Sequence, residues 1–203
     1  MKKIILSSDG ITSKKIAKEF LNLLDKKPSE ANVLIVHSAK SKEDFGYLKE
    51  AEDELVEIGI NEKNLIYCDL NKNHLSVPAN FDVIYFCGGN TYNILNRIRK
   101  FDLDKLIKNF VKNGGFYFGV SAGSIIMCEN IDIAGWGVEG DKNEIGLKNL
   151  KGLNLTNVAI FPHYKNEFKQ EVDEFSVKVD YPVEALRDGE AIVIKGDDIK
   201  KLK

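Results

Sequence analysis

The stretch Phe116-Tyr117-Phe118-Gly119-Val120-Ser121-Ala122-Gly123-Ser124 decides the fold of this chain. Residues 116–120 read as a strand, and residues 122–128 resume as a helix after a turn of small residues. The pattern Gly119-Val120-Ser121-Ala122-Gly123 fits the G-x-S-x-G nucleophile elbow. A strand that turns this sharply into a helix forces the serine into a strained backbone conformation. It also lifts the serine Oγ above the carboxyl edge of the sheet, where α/β folds place their sites. The helix N-terminus, with the Ala122 amide, then points at whatever sits on the serine. The same residues would suit an ordinary β–α turn with a serine cap, so the elbow calls for partners elsewhere in the chain.

Outward from this stretch, short apolar runs alternate with amphipathic ones. Strands are predicted at residues 3–7, 33–37, 64–68, 83–87 and 158–161, and helices at residues 12–26, 42–59, 90–98, 103–113 and 167–175. Two short strands, 183–186 and 191–194, follow, then a turn at Gly196-Asp197-Asp198 and a lysine-rich end read as a frayed tail. Residues 130–155, with Gly135, Gly137, Gly140, Gly146 and Gly152, read as irregular. Strands that are apolar throughout and alternate with helices imply βαβ units and a mostly parallel sheet covered on both faces. The expected fold is α/β, a Rossmann-like doubly wound sheet in one domain over residues 1–203.

Composition narrows the function. The 203 residues are 43% hydrophobic and 30% charged, with a formal charge of −2. That balance gives no long-range attraction to nucleic acid or to an anionic membrane. No apolar run is long enough to span a bilayer, and the start lacks the apolar stretch of a signal peptide. Cys68, Cys87 and Cys128 share no metal-ligand spacing and read as reduced thiols of a cytoplasmic protein. No H-E-x-x-H or comparable cluster is present, so no metal or cofactor is expected. G-x-G-x-x-G is absent after the first strand, where Ser7-Ser8-Asp9-Gly10 stands, which disfavours a dinucleotide site.

Gly88-Gly89-Asn90-Thr91 follows the strand at 83–87. Its exposed backbone N–H groups could donate to an oxyanion, or the turn could simply cap its helix through Asn90. It gains weight if that strand lies beside the one carrying Ser121. A serine nucleophile needs a base, usually histidine. His74 sits in a polar loop, whereas His37 and His163 each end a predicted strand, and order along the chain does not choose between them. A carboxylate should hold the histidine tautomer. Asp188, in the Leu186-Arg187-Asp188-Gly189 turn, competes with Glu184, Glu190, Asp132 and Asp141.

Taken together, Gly88-Gly89-Asn90-Thr91, Gly119-Val120-Ser121-Ala122-Gly123-Ser124 and Pro162-His163-Tyr164 resemble, in order and spacing, the dipeptidase E (aspartyl dipeptidase and cyanophycinase) family of serine peptidases. The resemblance runs from the first strand to the segment at 186–194. It implies a fold akin to class I glutamine amidotransferases, with Ser121 as nucleophile and His163 as base. It also implies Asp188 as third triad member and an oxyanion hole from the Gly89 and Ala122 amides. The expected substrate is a small peptide, with no metal, nucleic acid or membrane partner, acted on by a monomer or homodimer. Residues 165–175, where the family usually carries an arginine, hold lysines only. Lysine lacks the bidentate fork that recognises a carboxylate, so an N-terminal Asp is expected to be preferred only modestly. Two further readings are an esterase or amidase using the same triad, and a catalytically silent small-molecule-binding module.

Overall fold

The computed structural model describes residues 1–75 and 77–203. The stretch at 116–120 forms β5 (Phe116–Val120), and it lies at the middle of the main sheet. On one side of it run β4 (Val83–Phe86), β2 (Val33–His37) and β3 (Leu65–Asp69); on the other run β1 (Lys3–Ser7), β8 (Ala191–Lys195) and β9 (Asp198–Leu202). The pairs among β1 to β5 are parallel, while β8 runs antiparallel to β1 and β9 antiparallel to β8.

Alternate residues of each inner strand enter different cores, which is why these strands are apolar through their middles, with polar residues only at their ends. Ile4, Leu34, Ile84 and Tyr117 face α3 (Thr91–Lys100), α4 (Leu103–Lys112) and α5 (Ala122–Ile125). Ile5, Ile35, Tyr85 and Phe118 face α1 (Lys14–Leu23) and α2 (Lys42–Glu57), where Phe20 packs on Phe116 and Phe118. Ser13 and Ser41 cap α1 and α2, the latter with a full capping box to Asp44. The expected α/β, Rossmann-like sheet with helices on both faces is the one observed, and it is consistent with a class I glutamine amidotransferase-like fold.

Several expectations need correction. The helix after Ser121 is a single turn, Ala122–Ile125, rather than residues 122–128. The chain end is not frayed: Asp198–Leu202 is β9, with Leu202 buried and Lys200 and Lys201 pointing to partners on the surface. The two short strands expected at 183–186 and 191–194 do not pair with each other. β7 (Val183–Ala185) pairs with β6 (Ala159–Phe161) in a separate two-stranded sheet, whereas β8 pairs with β1. The strand before His163 therefore lies outside the main sheet. The helix near 167–175 begins as a 3-10 turn, Asn166–Phe168, and continues as α6 (Lys169–Ser176). Residues 130–155 are irregular as expected, apart from a 3-10 turn at Asp132–Gly135 and a bridge between Asn130 and Lys151.

Candidate active site

The adjacent strands β4, β5 and β1 end together, and their continuations form the site. Ser121, directly after β5, adopts φ 49° and ψ −111°, a left-handed backbone rarely seen for a residue with a side chain. The neighbours hold it there. The Ser121 N–H donates to the Ser7 carbonyl at 3.0 Å, and the Ser124 hydroxyl, fully buried, lies 2.8 Å from both the Ser7 and Gly119 carbonyls. A Cβ on Gly119 would lie 2.5 Å from the Gly123 carbonyl oxygen, and one on Gly123 would lie 2.4 Å from that of Phe86. Both obstacles are backbone and cannot rotate aside. Gly123→Ala is accordingly expected to destabilise the fold by about 2–3 kcal/mol. Urea denaturation of the variant checks this, and a loss below about 0.5 kcal/mol would show that the elbow is less tightly packed.

Ser121 makes no side-chain cap to its helix. Its Oγ instead lies 3.1 Å from His163 Nε2, and His163 Nδ1 lies 2.9 Å from Asp188 Oδ1. The small sheet brings these groups together. Leu186 N–H donates to the Phe161 carbonyl and Tyr164 N–H to the Leu186 carbonyl, both at 2.9 Å, so Pro162-His163 and Arg187-Asp188 run side by side beyond β6 and β7. His163 has φ 53°, a second left-handed residue. The His163 and Asp188 side chains are 47% and 62% exposed, so the pair stands at the rim of the site rather than under it.

The Gly88-Gly89 turn leaves β4, which does lie beside β5. A Cβ on Gly88 would sit 3.3 Å from that of Ser121, and Gly89 has φ 131° with its Cβ direction closed by the Ser38 hydroxyl at 2.9 Å. Only glycine lets the backbone pass this close. Asn90 caps α3 by accepting from the Asn93 N–H, and Asp141 accepts from the Thr91 N–H at 2.7 Å. No protein acceptor takes the Gly89 or Ala122 N–H among the described residues. Cys87, beside this turn, has its thiol pushed up to about 12 by burial, so it is protonated at neutral pH and is no rival nucleophile.

The other residues singled out do not join this chain of contacts. His37 ends β2, is 6% exposed, and accepts from the Ala39 N–H at 3.4 Å; burial lowers its pKa against an opposing pull from Asp69. His74 is exposed. Glu184 and Glu190 face Lys201 at 3.1 and 3.9 Å, Asp141 holds the Thr91 amide, and Asp132 is exposed on its 3-10 turn. Ser8 was missed by sequence reasoning. Its hydroxyl accepts from the His163 N–H at 2.8 Å and donates to Asp188 Oδ1 at 2.9 Å. Asp9 next to it accepts from the Gly189 N–H at 2.9 Å.

Two clefts flank Ser121. One, of about 130 Å³, is walled by Ile133, Trp136, Phe161 and Phe168 and carries Glu139, Asp141 and Glu171. The other, of about 540 Å³, lies under α2 and carries Asp9, Asp44, Glu50 and Glu54 besides His37. No lysine or arginine lines either cleft among the described residues.

A model of peptidase family S51 matches residues 4–202. The chain belongs to peptidase family S51. Among the relatives, uncharacterized peptidase Lmo0363 of Listeria monocytogenes is 35% identical over 124 residues, 58% of each chain. Uncharacterized peptidase PM1590 of Pasteurella multocida is 26% identical over 204 residues, 97% of this chain and 95% of that one. Peptidase E of a Shewanella species (strain ANA-3) is 32% identical over 132 residues, 60% of this chain and 53% of the relative. The chain thus spans a little over half the length of the Lmo0363 relative it matches. The crystal structure of a candidate peptidase E protein from Listeria monocytogenes EGD-e superposes with a TM-score of 0.78 at 24% identity, over 100% of this chain and 98% of that one, and so shares the fold.

Proposed function

We propose that this S51 chain is a serine peptidase of small peptides, acting as one domain, with Ser121 as nucleophile, His163 as base and Asp188 as the group that orients the base. The observation that carries the proposal is the unbroken chain of contacts from Ser121 Oγ to His163 Nε2 at 3.1 Å and from His163 Nδ1 to Asp188 at 2.9 Å, at the end of the central strand. Asp188 accepts from Nδ1–H, which leaves Nε2 as the lone pair facing the hydroxyl. His163 takes the Ser121 proton as Oγ attacks the peptide carbonyl. It then gives that proton to the departing amine. Water attacks the acyl-enzyme by the same route in reverse. The unclaimed Gly89 and Ala122 N–H groups face the developing oxyanion, and such donors contribute roughly 3 kcal/mol each in a dry site. No step draws on a metal or cofactor. A dipeptide-library hydrolysis screen, with Ser121→Ala as control, tests the reading. Cleavage that the control lacks supports it. Turnover of aryl esters alone would favour an esterase instead.

The clefts bear on which peptides are accepted. Lys165, the first lysine of the stretch expected to meet a substrate carboxylate, is paired with Glu139 at 3.2 Å. Lys165 lines neither cleft, and among the described residues the carboxylates that line them face no lysine or arginine of the lining. An N-terminal Asp side chain would enter a negative field, so the modest preference for Asp expected from the sequence gives way to a modest preference against it. The kcat/KM for Lys-Leu is expected to exceed that for Asp-Leu by roughly tenfold, with Ala-Leu between them, and the gap should narrow as salt screens the clefts. Comparing the three substrates at two ionic strengths checks this. A preference for Asp-Leu that salt does not alter would mean that a shielded cation meets the substrate.

A further inference from the structure

Ser8 follows β1, next to the strand that delivers Ser121, and its side chain is fully buried. The two groups it holds are not: Asp188 and His163 are 62% and 47% exposed. A hydrogen bond between two exposed groups is weakly held, and a water-washed carboxylate on a turn can rotate away from an imidazole. His163 carries a backbone strain that persists only where surrounding contacts over-determine it. One hydroxyl addresses both problems. It accepts from the His163 backbone N–H at 2.8 Å and donates to Asp188 Oδ1 at 2.9 Å, the same oxygen that meets His163 Nδ1. The flanking chain reinforces the clasp: the Ser8 N–H donates to the Glu190 carbonyl at 3.2 Å, and Asp9 accepts from the Gly189 N–H.

We propose that Ser8 is a positioning residue for the reaction proposed above, fixing the Asp188 carboxylate and the His163 backbone in one register so that Nε2 faces Ser121. The proposal rests on the Ser121–His163–Asp188 reading. The hydroxyl contacts of Ser8 are to the base and to its orienting carboxylate, and Ser8 itself lines neither cleft, so its removal misplaces the base without deleting a group that borders the substrate. Misplacement of a reacting group by about 1 Å can cost on the order of 100-fold in rate.

The test compares wild type, Ser8→Ala, Asp188→Ala and the double variant. Each is measured for kcat and KM on a cleaved dipeptide, for the rate of inactivation by a fluorophosphonate, and for thermal midpoint. Ser8→Ala is expected to lower kcat and the inactivation rate by roughly 10- to 100-fold with KM changed less than about twofold. In the Asp188→Ala background the same substitution should cost several-fold less than it does alone, because one of the two groups it acts through is gone. A purely structural role would lower the midpoint and multiply with Asp188→Ala. That result, or a Ser8→Ala protein within about threefold of wild type, would overturn the inference while leaving the peptidase reading intact. A wild type that neither hydrolyses dipeptides nor reacts with the probe would overturn the peptidase reading, and the role of Ser8 with it.

Discussion

Replacing Ser121 by alanine is expected to lower peptide hydrolysis on the order of 10⁴-fold or more and to leave the protein folded. The first half follows from chemistry: without Oγ there is no acyl-enzyme, and what remains is the oxyanion donors and the binding clefts. The second half follows from what Oγ touches. It meets His163 Nε2 at 3.1 Å and does not cap its helix, so its loss removes no structural hydrogen bond from α5. The strain at φ 49° is a property of any Cβ-bearing residue, so alanine inherits it without adding to it. Turnover and thermal midpoint, measured side by side, check both halves. A variant that retains near wild-type turnover on every substrate cleaved would remove Ser121 from the mechanism. A variant that unfolds would show that the hydroxyl is structural.

His163→Ala is expected to be nearly as damaging as Ser121→Ala, and the double variant little worse than either, because a nucleophile and its base fail as a unit. The contrast with His37→Ala is the sharper part of the prediction. His37 ends β2, His163 follows β6, and both line the large cleft. His37 is buried, its pKa is lowered by that burial, and its ring partner is the Ala39 amide rather than a carboxylate that would orient it. His37→Ala should therefore cost less than about tenfold in kcat/KM, the range of a cleft residue outside the proton path. Steady-state kinetics of the two single variants and of His163→Ala/Ser121→Ala decide the matter. The reverse ranking would transfer the base role to His37.

The parts of this molecule that could be read from the chain are those whose causes are local. The elbow was legible because Gly119 and Gly123 are demanded by backbone atoms within a few residues or on the adjacent strand. Full burial of both faces left a continuous apolar run in β1, β2, β4 and β5, and such runs locate parallel strands without any knowledge of pairing. Strand partners were not legible. β6 and β7 look like further members of one sheet, and only their pairing with each other sets them apart. β9 was hidden because it is an edge strand in which Asp198, Lys200 and Lys201 outnumber the apolar positions, leaving Leu202 as its buried residue. Ser8 was hidden most completely. A serine after a strand reads as a turn former, and its contacts are to residues 155 and 180 positions away. The acidic lining of the clefts was likewise beyond reach, since it gathers side chains from the segment after β1, from α2, from the irregular segment at 130–155 and from α6.

The central claim is that Ser121 is an activated nucleophile driven by His163, and covalent labelling tests it without knowledge of the substrate. Purified protein is treated with a fluorophosphonate, and the adduct is located by peptide mapping in wild type, His163→Ala and Ser121→Ala. The account predicts one adduct on Ser121 in the wild type, slowed by orders of magnitude in His163→Ala and absent in Ser121→Ala. A wild-type protein that takes up no label, or labels as fast on another residue, or reacts at Ser121 equally well without His163, would contradict it.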